Sequence, residues 1–293
     1  MPTTSVGEAI ATAANRLRDA GSPSPRLDAE VLLGHVVGRD RSWLLAHAKE
    51  PLTGGAGFDA VIDRRAAGEP VAYIRGFKEW WSLRIRTDAR ALIPRPETEV
   101  LLEATIEEIE ARLALGGTPI LTWEVATGSG AVAVALALRF APEIRAGRLR
   151  LVASDLSPDA LALAAENVEV HEVTDLVELI RADLLAPAGG EVPAPDVVVA
   201  NLPYVSSDEV DARLGSLGFE PRIALDGGPD GLVLLRSLLE SLPSRAAPAA
   251  TVLLELGVDQ VDAVRALVPA GASVSAVPDL AGLERVVRIG MAD

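Results

Sequence analysis

A four-residue motif, Asn201-Leu202-Pro203-Tyr204, follows directly after the apolar run at residues 196–200. An asparagine side chain and the backbone carbonyl of the next residue can together accept both hydrogens of a planar NH2 group. A tyrosine ring close by can cover the flat face of an amide or a nucleobase. The motif therefore predicts a site for a planar amino or amide nitrogen, although asparagine and proline are also common turn residues.

A second candidate site lies at residues 124–130, where glycines end an apolar run and begin a helical pattern. Gly128, Gly130 and Ala133 satisfy the G-x-G-x-x-[GA] spacing. Such a turn lets a ligand approach backbone N–H groups closely, although by itself the pattern also fits an ordinary strand-to-helix turn. The residues expected to surround a bound cofactor here are Glu124, Ala126, Thr127, Gly128, Ser129 and Gly130.

Two acidic residues follow the next two apolar runs. Asp155 comes about 25 residues after Gly130, and an acid at such a strand end can accept hydrogen bonds from ribose hydroxyls. Asp183, followed by Leu184, ends the third run and is placed to reach an adenine amino group. A turn before Pro187 is the alternative interpretation of Asp183. We expect Asp155, Asp183 and Leu184 to contribute to the cofactor site.

Short apolar runs alternate with amphipathic helical segments across the C-terminal part of the chain. The runs lie at 120–126, 149–154, 176–180, 196–200, 251–256, 273–277 and 285–289. This alternation predicts an α/β fold with a doubly wound, mainly parallel sheet. The last two runs are joined only through Asp279 to Gly282, which is too short for a crossover helix, so they should pair antiparallel.

The N-terminal part of the chain has a different pattern. Ser5 and Glu8 form a capping box at the start of a helix over about 6–20, and Pro25 begins a second helix. Alternation at Tyr73–Gly76 and again at Trp81–Thr87 predicts the strands of a hairpin. The expected domains are a small helical domain at 1–71, a hairpin connector at 72–95 and an α/β domain at 96–293.

Composition narrows the function classes. The 27 Lys and Arg against 42 Asp and Glu give a net charge of −15, whereas duplex-binding proteins normally carry a basic surface. The chain has no cysteine and three widely spaced histidines, so neither thiol chemistry nor a metal is expected. No apolar run reaches membrane-spanning length and the N-terminus lacks signal-peptide character, so we expect a cytoplasmic protein that does not contact the membrane.

Asn201–Tyr204 resembles the N-P-P-Y motif of class I S-adenosylmethionine methyltransferases that act on planar nitrogens. Two upstream segments, Gly68–Gly76 and Leu92–Glu99, read GEPVAYIRG and LIPRPETE. Both closely resemble the release-factor glutamine methyltransferases, the PrmC/HemK family, as do Phe219–Pro221 and Asp279–Gly282. The resemblance extends over essentially the whole chain.

The resemblance implies a Rossmann-like methyltransferase that uses S-adenosylmethionine and releases S-adenosylhomocysteine, with residues 96–293 as the methyltransferase domain and residues 1–71 as a domain that helps to recognise the substrate protein. Its substrate would be the glutamine side chain in the Gly-Gly-Gln motif of bacterial peptide chain release factors. Asn201, Leu202, Pro203 and Tyr204 would hold that amide, and Asn201 would also contact the cofactor. Arg95 and Glu97 would lie on the substrate side, or else form a salt bridge at a helix start. No stable nucleic-acid partner is implied, and the chain is expected to be a monomer.

Two segments depart from the family pattern. The family's Asp-Leu-Gly is here Glu124-Val125-Ala126, which introduces a longer acid and a methyl group. Leu202 replaces the first proline of the motif; it keeps the backbone carbonyl that the contact needs, but it loses the fixed φ of proline.

Three alternative functions share parts of this pattern. An adenine amino-group methyltransferase acting on RNA or DNA would share the fold, the cofactor and the Asn201 motif. A nicotinamide-dependent oxidoreductase would use the glycine turn and Asp155 but has no role for Asn201–Tyr204. A non-catalytic binding module would explain the departures at Ala126 and Leu202.

Overall fold

The computed structural model describes residues 4–189, 191–212, 216–258, 260–279 and 281–292. Leu280, within the family-like segment at Asp279–Gly282, lies outside the described residues. The described chain divides into two compact units, one containing residues 4–77 with 216–219 and the other containing 78–212 with 220–292. The domain boundaries at residues 71 and 95 stay predictions.

The first unit is helical. Its helices are α1 (Val6–Asp19), α2 (Pro25–Val37), α3 (Arg41–Ala46), α4 (Phe58–Ala66) and α5 (Val71–Arg75). The side chain of Ser5 accepts a hydrogen bond from the Glu8 N–H while the Glu8 carboxylate accepts one from the Ser5 N–H, which confirms the predicted capping box. Fully buried apolar residues from four helices, among them Leu17, Leu32 and Ile62, form the core of this unit.

The prediction of a strand at Tyr73–Gly76 is wrong, because these residues belong to α5 and its C-terminal cap. Pro70 precedes the helix with a φ of −59°, and Gly76 ends it in the left-handed region at φ 76°. A proline before a helical turn and a glycine after it are helix boundary signals. They outweigh a short alternation of apolar and polar residues.

A two-stranded hairpin follows, made of β1 (Phe77–Trp80) and β2 (Leu83–Arg86). Its two connecting residues, Trp81 and Ser82, have φ values of 49° and 58°, as tight hairpin turns require. The Trp80 side chain is 2% exposed, and its Nε1 donates a hydrogen bond to the Arg95 carbonyl at 2.8 Å. Trp80 thereby fixes the segment that precedes the next helix.

The second unit is built on an eight-stranded sheet with the order β6-β5-β4-β3-β7-β8-β10-β9. These strands are β3 (Ile120–Val125), β4 (Leu149–Asp155), β5 (Glu178–Asp183), β6 (Ala186–Pro187), β7 (Val197–Ala200), β8 (Thr251–Glu255), β9 (Ser273–Pro278) and β10 (Glu284–Gly290). The β5-β4-β3-β7-β8 portion is parallel. The predicted antiparallel pairing of β9 with β10 is confirmed, whereas the short edge strand β6 was not predicted.

Helices accompany the sheet strands and shield them from water. They are α6 (Thr98–Leu115), α7 (Ala131–Arg139), α8 (Ala141–Arg145), α9 (Pro158–Val170), α10 (Ser207–Ala212), α11 (Val233–Arg245) and α12 (Val261–Leu267). Successive residues of β7 alternate between two apolar clusters: Val197 and Val199 pack in one, Val198 and Ala200 in the other. This alternation buries both faces of the central sheet, as expected for parallel strands between helices.

The sheet brings the predicted site residues to one edge. Parallel strands end on the same side, so the loops after β3, β4, β5 and β7 lie side by side. Within the described ranges, no helix combines the length and the apolar composition needed to cross a bilayer.

Candidate functional site

A cleft opens at the carboxyl ends of β3, β4, β5 and β7. It contains about 1040 Å³ of space free of protein atoms, part of it open to solvent. Most of the predicted site residues line it: Arg95, Glu124, Ala126, Thr127, Gly128, Ser129, Asp155, Asp183, Leu184, Asn201, Leu202 and Pro203. Gly130, Glu97 and Tyr204 do not line the cleft. The tertiary structure therefore gathers four separate loops into one site.

The glycine turn after β3 is tied to β4 by the backbone. The Thr127 N–H donates to the Ser154 carbonyl at 2.8 Å, and the Gly130 N–H donates back to the Thr127 carbonyl at 2.8 Å. Gly130 has φ 77°, and a Cβ there would lie 3.0 Å from the Cβ of Ala164. Glycine is therefore required at this position by backbone conformation as well as by close helix packing.

Ala126 occupies a strained conformation at the start of the same turn. Its φ is 56°, in the left-handed region that costs a non-glycine residue about 1–2 kcal/mol. This is the position where the family pattern has glycine. The methyl group of Ala126 therefore fits into the cleft wall, but at a cost in backbone strain.

Asn167 is a site residue that the sequence analysis missed. This fully buried side chain on α9 donates from Nδ2 to the Ser129 carbonyl at 2.9 Å and to the Arg86 carbonyl at 3.1 Å. Its Oδ1 accepts a hydrogen bond from the Arg86 N–H at 2.7 Å. Asn167 thus joins the glycine turn to β2. Only the three-dimensional structure shows this, because a single asparagine within a helix carries no sequence signal.

Asp155 lies at the end of β4 with both carboxylate oxygens oriented by the backbone. Oδ2 accepts a hydrogen bond from the Gly128 N–H at 2.9 Å, and Oδ1 accepts one from the Ser157 N–H at 2.9 Å. Burial raises the pKa of Asp155, and the backbone hydrogen bonds from Ser157, Gly128 and Leu156 oppose that rise. Each oxygen has further acceptor capacity, so the carboxylate can also bind hydroxyl hydrogens in the cleft.

Glu124 is a buried carboxyl group that holds the turn from inside. It accepts a hydrogen bond from the Thr127 hydroxyl at 2.9 Å. The pKa of Glu124 is raised to about 8: burial and the nearby charge of Asp155 raise it, while hydrogen bonds from Thr127 and the Ala133 backbone lower it. The bonds to Thr127 and Ala133 connect the end of β3 to the start of α7. The longer acid at this position thus stabilises the turn that it lines.

Asn201 lies directly after β7, in a group of polar side chains from three elements. Its Nδ2 donates to the Thr98 hydroxyl at 3.1 Å. The Tyr204 hydroxyl lies 3.5 Å from Oε1 of Glu255, the last residue of β8. Burial, followed by the charge of Glu255, raises the pKa of Tyr204 to about 12. Neither Thr98 nor Glu255 was identified as a site residue from the sequence.

A glycine-rich loop at residues 227–231 supports the Asn201–Tyr204 segment. A Cβ on Gly227 would lie 2.6 Å from the Pro203 carbonyl oxygen, and a Cβ on Gly231 would clash with the Tyr204 carbonyl oxygen. Gln260 donates from Nε2 to that same Tyr204 oxygen at 3.1 Å. The loop therefore holds the Asn201–Tyr204 backbone at a distance that only glycine permits.

Arg95 and Glu97 are separated by the structure. Arg95 lines the cleft and forms an ion pair of 2.7 Å with Glu220, which is 7% exposed and also accepts a hydrogen bond from the Ile93 N–H at 3.2 Å. The salt bridge of Arg95 is therefore made with the Phe219–Pro221 segment. Glu97 instead lies near Glu255, whose pKa it raises. Whether Arg95 and Glu97 contact a substrate stays a prediction.

The donors and acceptors of the cleft fit an adenosine-type cofactor. Asp155 and Asp183 end neighbouring strands and offer acceptors for hydroxyl and amino hydrogens, while the turn from Ala126 to Gly130 exposes backbone at the cleft wall. Among the described residues, no three acidic or histidine side chains are grouped as metal ligands.

Fold and cleft together define the class of protein: an α/β protein with a Rossmann-like, mainly parallel sheet and a ligand cleft at the carboxyl ends of its strands. A solved structure that shares the fold is the hMettl16 catalytic domain in complex with MAT2A 3′UTR hairpin 1. It aligns with a TM-score of 0.52 and 16% identity, covering 73% of this chain and 76% of that chain.

Sequence comparison identifies the family. Residues 8–76 match the family model of the PrmC N-terminal domain. A release factor glutamine methyltransferase of Moorella thermoacetica is 39% identical over 286 residues, covering 95% of both chains. One from Salmonella typhimurium is 36% identical over 278 residues, covering 94% of both. The chain belongs to the release factor glutamine methyltransferase family, as the sequence resemblance predicted.

Substitution of Ala126 by glycine tests the backbone strain. We expect Ala126→Gly to leave the free energy of unfolding unchanged or to raise it by up to about 1 kcal/mol, since relief of the left-handed conformation offsets the entropy cost of glycine. Denaturant unfolding measures the difference. Ala111→Gly, at an exposed position of α6, is the matched control and should lower stability by about 1 kcal/mol. Equal losses in both variants would contradict strain at Ala126.

Substitution of Asn167 by aspartate tests the support of the glycine turn. Asn167→Asp keeps the side-chain shape but removes both hydrogen bonds that Nδ2 donates and places a carboxylate against two carbonyl oxygens. We expect weaker binding of S-adenosylhomocysteine, measured by calorimetry. Asn15→Asp, at an exposed site, is the control that should bind normally. Unchanged affinity in Asn167→Asp would show that the turn does not depend on Asn167.

The raised pKa of Glu124 predicts a pH-dependent stability. Between its unfolded value near 4.5 and its folded value near 8, the folded state binds more protons, so stability falls as pH rises through this window. Across this pH window, the free energy of unfolding of Glu124→Gln should rise relative to that of the wild type by up to about 1.4 kcal/mol per pH unit. Denaturant unfolding at several pH values measures this gain. Glu178→Gln, an exposed control, should show none, and a flat difference for Glu124→Gln would refute the shift.

Proposed function

We propose that this chain transfers a methyl group from S-adenosylmethionine to the side-chain amide nitrogen of the glutamine in the Gly-Gly-Gln motif of bacterial peptide chain release factors. The relatives that support this proposal carry the name release factor glutamine methyltransferase and align over nearly their full length. The protein substrate also agrees with the acidic composition of the chain, which has a net charge of −15.

The observation that carries the proposal is the juxtaposition of Asn201 with the cofactor turn. Strand β7 pairs in parallel with β3, and Ala200 lies opposite Val125. The next residue on each strand is therefore Asn201 on one side and Ala126 on the other. An amide-binding motif thus begins beside the turn proposed to bind the cofactor, and both line one cleft.

The cofactor would be held by the residues at the ends of β3, β4 and β5. Asp155 would accept hydrogen bonds from ribose hydroxyls, Asp183 and Leu184 would lie near the adenine, and the turn from Glu124 to Gly130 would support the amino-acid portion. S-adenosylmethionine supplies an electrophilic methyl group when it is bound.

The protein's contribution to catalysis is mainly orientation. An amide nitrogen is a poor nucleophile because its lone pair is delocalised into the carbonyl group. Asn201 Oδ1 and the Leu202 carbonyl would accept the two amide hydrogens, and Pro203 and Tyr204 would shape the pocket around the amide. Fixing a reactant in this way can supply about 7–11 kcal/mol in favourable cases. The nitrogen becomes acidic only once it is methylated and positively charged, and it then releases one proton to water, so a strong base is not needed before transfer.

The partners and the location follow from the same proposal. Release factors would bind as transient protein substrates, with Arg95 and Glu97 on the substrate side of the site and the helical unit contributing to recognition. The enzyme would act as a cytoplasmic monomer without a stable nucleic-acid partner or a metal.

The decisive experiment is peptide mass mapping of a purified bacterial release factor after incubation with the enzyme and S-adenosylmethionine. We expect one additional methyl group on the glutamine of Gly-Gly-Gln. Adenine-containing RNA serves as a parallel acceptor. Methylated RNA with an unmodified release factor would overturn the proposal in favour of an adenine methyltransferase.

Asn201→Ala tests the proposed amide contact. We expect kcat to fall by at least about 100-fold, the scale for loss of one pre-positioned hydrogen bond in an active site, with S-adenosylhomocysteine affinity mostly retained. Steady-state methylation and calorimetry measure the two effects. Asn15→Ala, on the exposed surface of α1, is the matched control. Turnover near the wild-type level in Asn201→Ala would exclude Asn201 from catalysis.

A further inference from the structure

Glu255 is a buried acid beside the amide-binding motif that the proposed chemistry leaves without a role. It is 2% exposed and ends β8, which pairs in parallel with β7 so that Leu254 lies opposite Ala200. Glu255 comes next after Leu254, and Asn201 comes next after Ala200. The sheet register therefore places the carboxylate next to the asparagine that is proposed to bind the substrate.

The hydrogen-bond capacity of Glu255 is incompletely used. Its Oε2 is buried and has no hydrogen-bond partner of good geometry among the described residues, while Oε1 lies 3.5 Å from the Tyr204 hydroxyl. The Thr98 hydroxyl and the Asn201 amide lie close enough to lower the pKa of the carboxyl group. A buried acceptor without a hydrogen-bond donor lowers stability. Its presence in a folded protein therefore calls for an explanation.

The donor and acceptor inventory of this group determines how the Asn201 amide must face. An ionised carboxylate only accepts hydrogen bonds, and a threonine hydroxyl has a single hydrogen to donate. When the Thr98 hydrogen points toward Glu255, its oxygen must accept from Asn201, as the 3.1 Å contact from Nδ2 shows. In the reversed orientation, Asn201 Oδ1 would face the Thr98 oxygen and the Glu255 carboxylate. Both of these groups accept hydrogen bonds in this arrangement, and neither would then receive one from Asn201.

We propose that Glu255 is a positioning residue that, together with Thr98, holds the Asn201 amide with its NH2 group toward the protein and its Oδ1 toward the cleft. This inference rests on the proposed function, which requires Asn201 to accept a hydrogen from the substrate amide. Glu255 acts through Asn201 and does not itself contact the substrate.

The charge state of Glu255 connects this orientation to pH. The pKa of Glu255 is raised to about 7: burial and the charge of Glu97 raise it, while Thr98, Asn201 and Arg285 lower it. Arg285 on β10 is itself paired with Asp279 at 3.3 Å, and Tyr204 faces Glu255 from the loop after β7. A protonated Glu255 can donate a hydrogen bond, and the preference for one amide orientation is then lost. Turnover should therefore decline as pH falls below about 7.

The test compares Glu255→Gln with the wild type. A glutamine can both donate and accept, so it no longer enforces one orientation of Asn201. We expect kcat to fall by about 10- to 100-fold, the scale for a slightly misplaced reactant, with the KM for the release factor nearly unchanged. The decline of kcat at acidic pH should disappear. Glu255→Asp retains an acceptor-only carboxylate and should recover part of kcat together with the acidic decline.

Two further variants separate positioning from general loss of structure. Thr98→Val removes the relaying hydroxyl at nearly constant shape and should lower kcat, whereas Thr98→Ser should restore it. Glu178→Gln, an exposed glutamate on β5, should keep the wild-type pH profile. Calorimetric binding of S-adenosylhomocysteine should be the same in all these variants, which verifies that the site is folded.

A spectroscopic measurement keeps the inference independent of turnover. The side-chain NH2 signal of Asn201, assigned by its loss in Asn201→Ala, should shift with pH around 7 in the wild type and should not do so in Glu255→Gln. If the wild type does not methylate the release factor, the proposed function fails, and this titration still decides the role of Glu255. Wild-type kcat with an unchanged acidic decline in Glu255→Gln, or an Asn201 signal that does not titrate, would overturn the inference.

Discussion

The parallel register of β7 between β3 and β8 is the constraint on which the site depends. Because Ala200 lies opposite both Val125 and Leu254, the residues that come next, Ala126, Asn201 and Glu255, lie at the same level of the sheet. A slip of one residue would exchange the two faces of a strand and bury Asn201 away from the cleft. Val197 and Val199 pack in one apolar cluster while Val198 and Ala200 pack in the other, and this packing prevents such a slip.

The buried acids around the cleft are costly and are organised by neighbouring donors. Glu124 and Glu255 are 5% and 2% exposed, and burial raises the pKa of each. Removal of a carboxylate from water is unfavourable unless hydrogen bonds compensate for the loss. Glu124 obtains them from Thr127 and Ala133, whereas Oε2 of Glu255 has no hydrogen-bond partner of good geometry within the described part of the chain. Buried groups with strongly perturbed pKa values cluster at functional sites, and both acids lie beside the cleft.

Two glycines and one strained alanine shape the walls of the cleft. Gly130 allows α9 to approach the cofactor turn, and Gly227 allows its loop to approach the Pro203 carbonyl. Ala126 departs from this pattern and accepts a φ of 56°. The Arg95–Glu220 ion pair joins the two loops near the cleft that the family resemblance had identified separately. The local backbone and a few polar bridges thus hold loops that are distant in the sequence.

The sequence alone determined the fold class, the strands of the eight-stranded sheet except β6, the antiparallel pair at the C-terminal end and the residues of the two main loops. These features depend on hydrophobic periodicity and turn chemistry, which are local properties of the chain. The helix α5 was misread because five residues carry too little periodicity to separate a helix from a strand. Tertiary structure alone revealed the contacts of Asn167, Thr98, Glu220 and Glu255. Their contacts join residues that are 81, 103, 127 and 51 positions apart, and no local pattern encodes such partners.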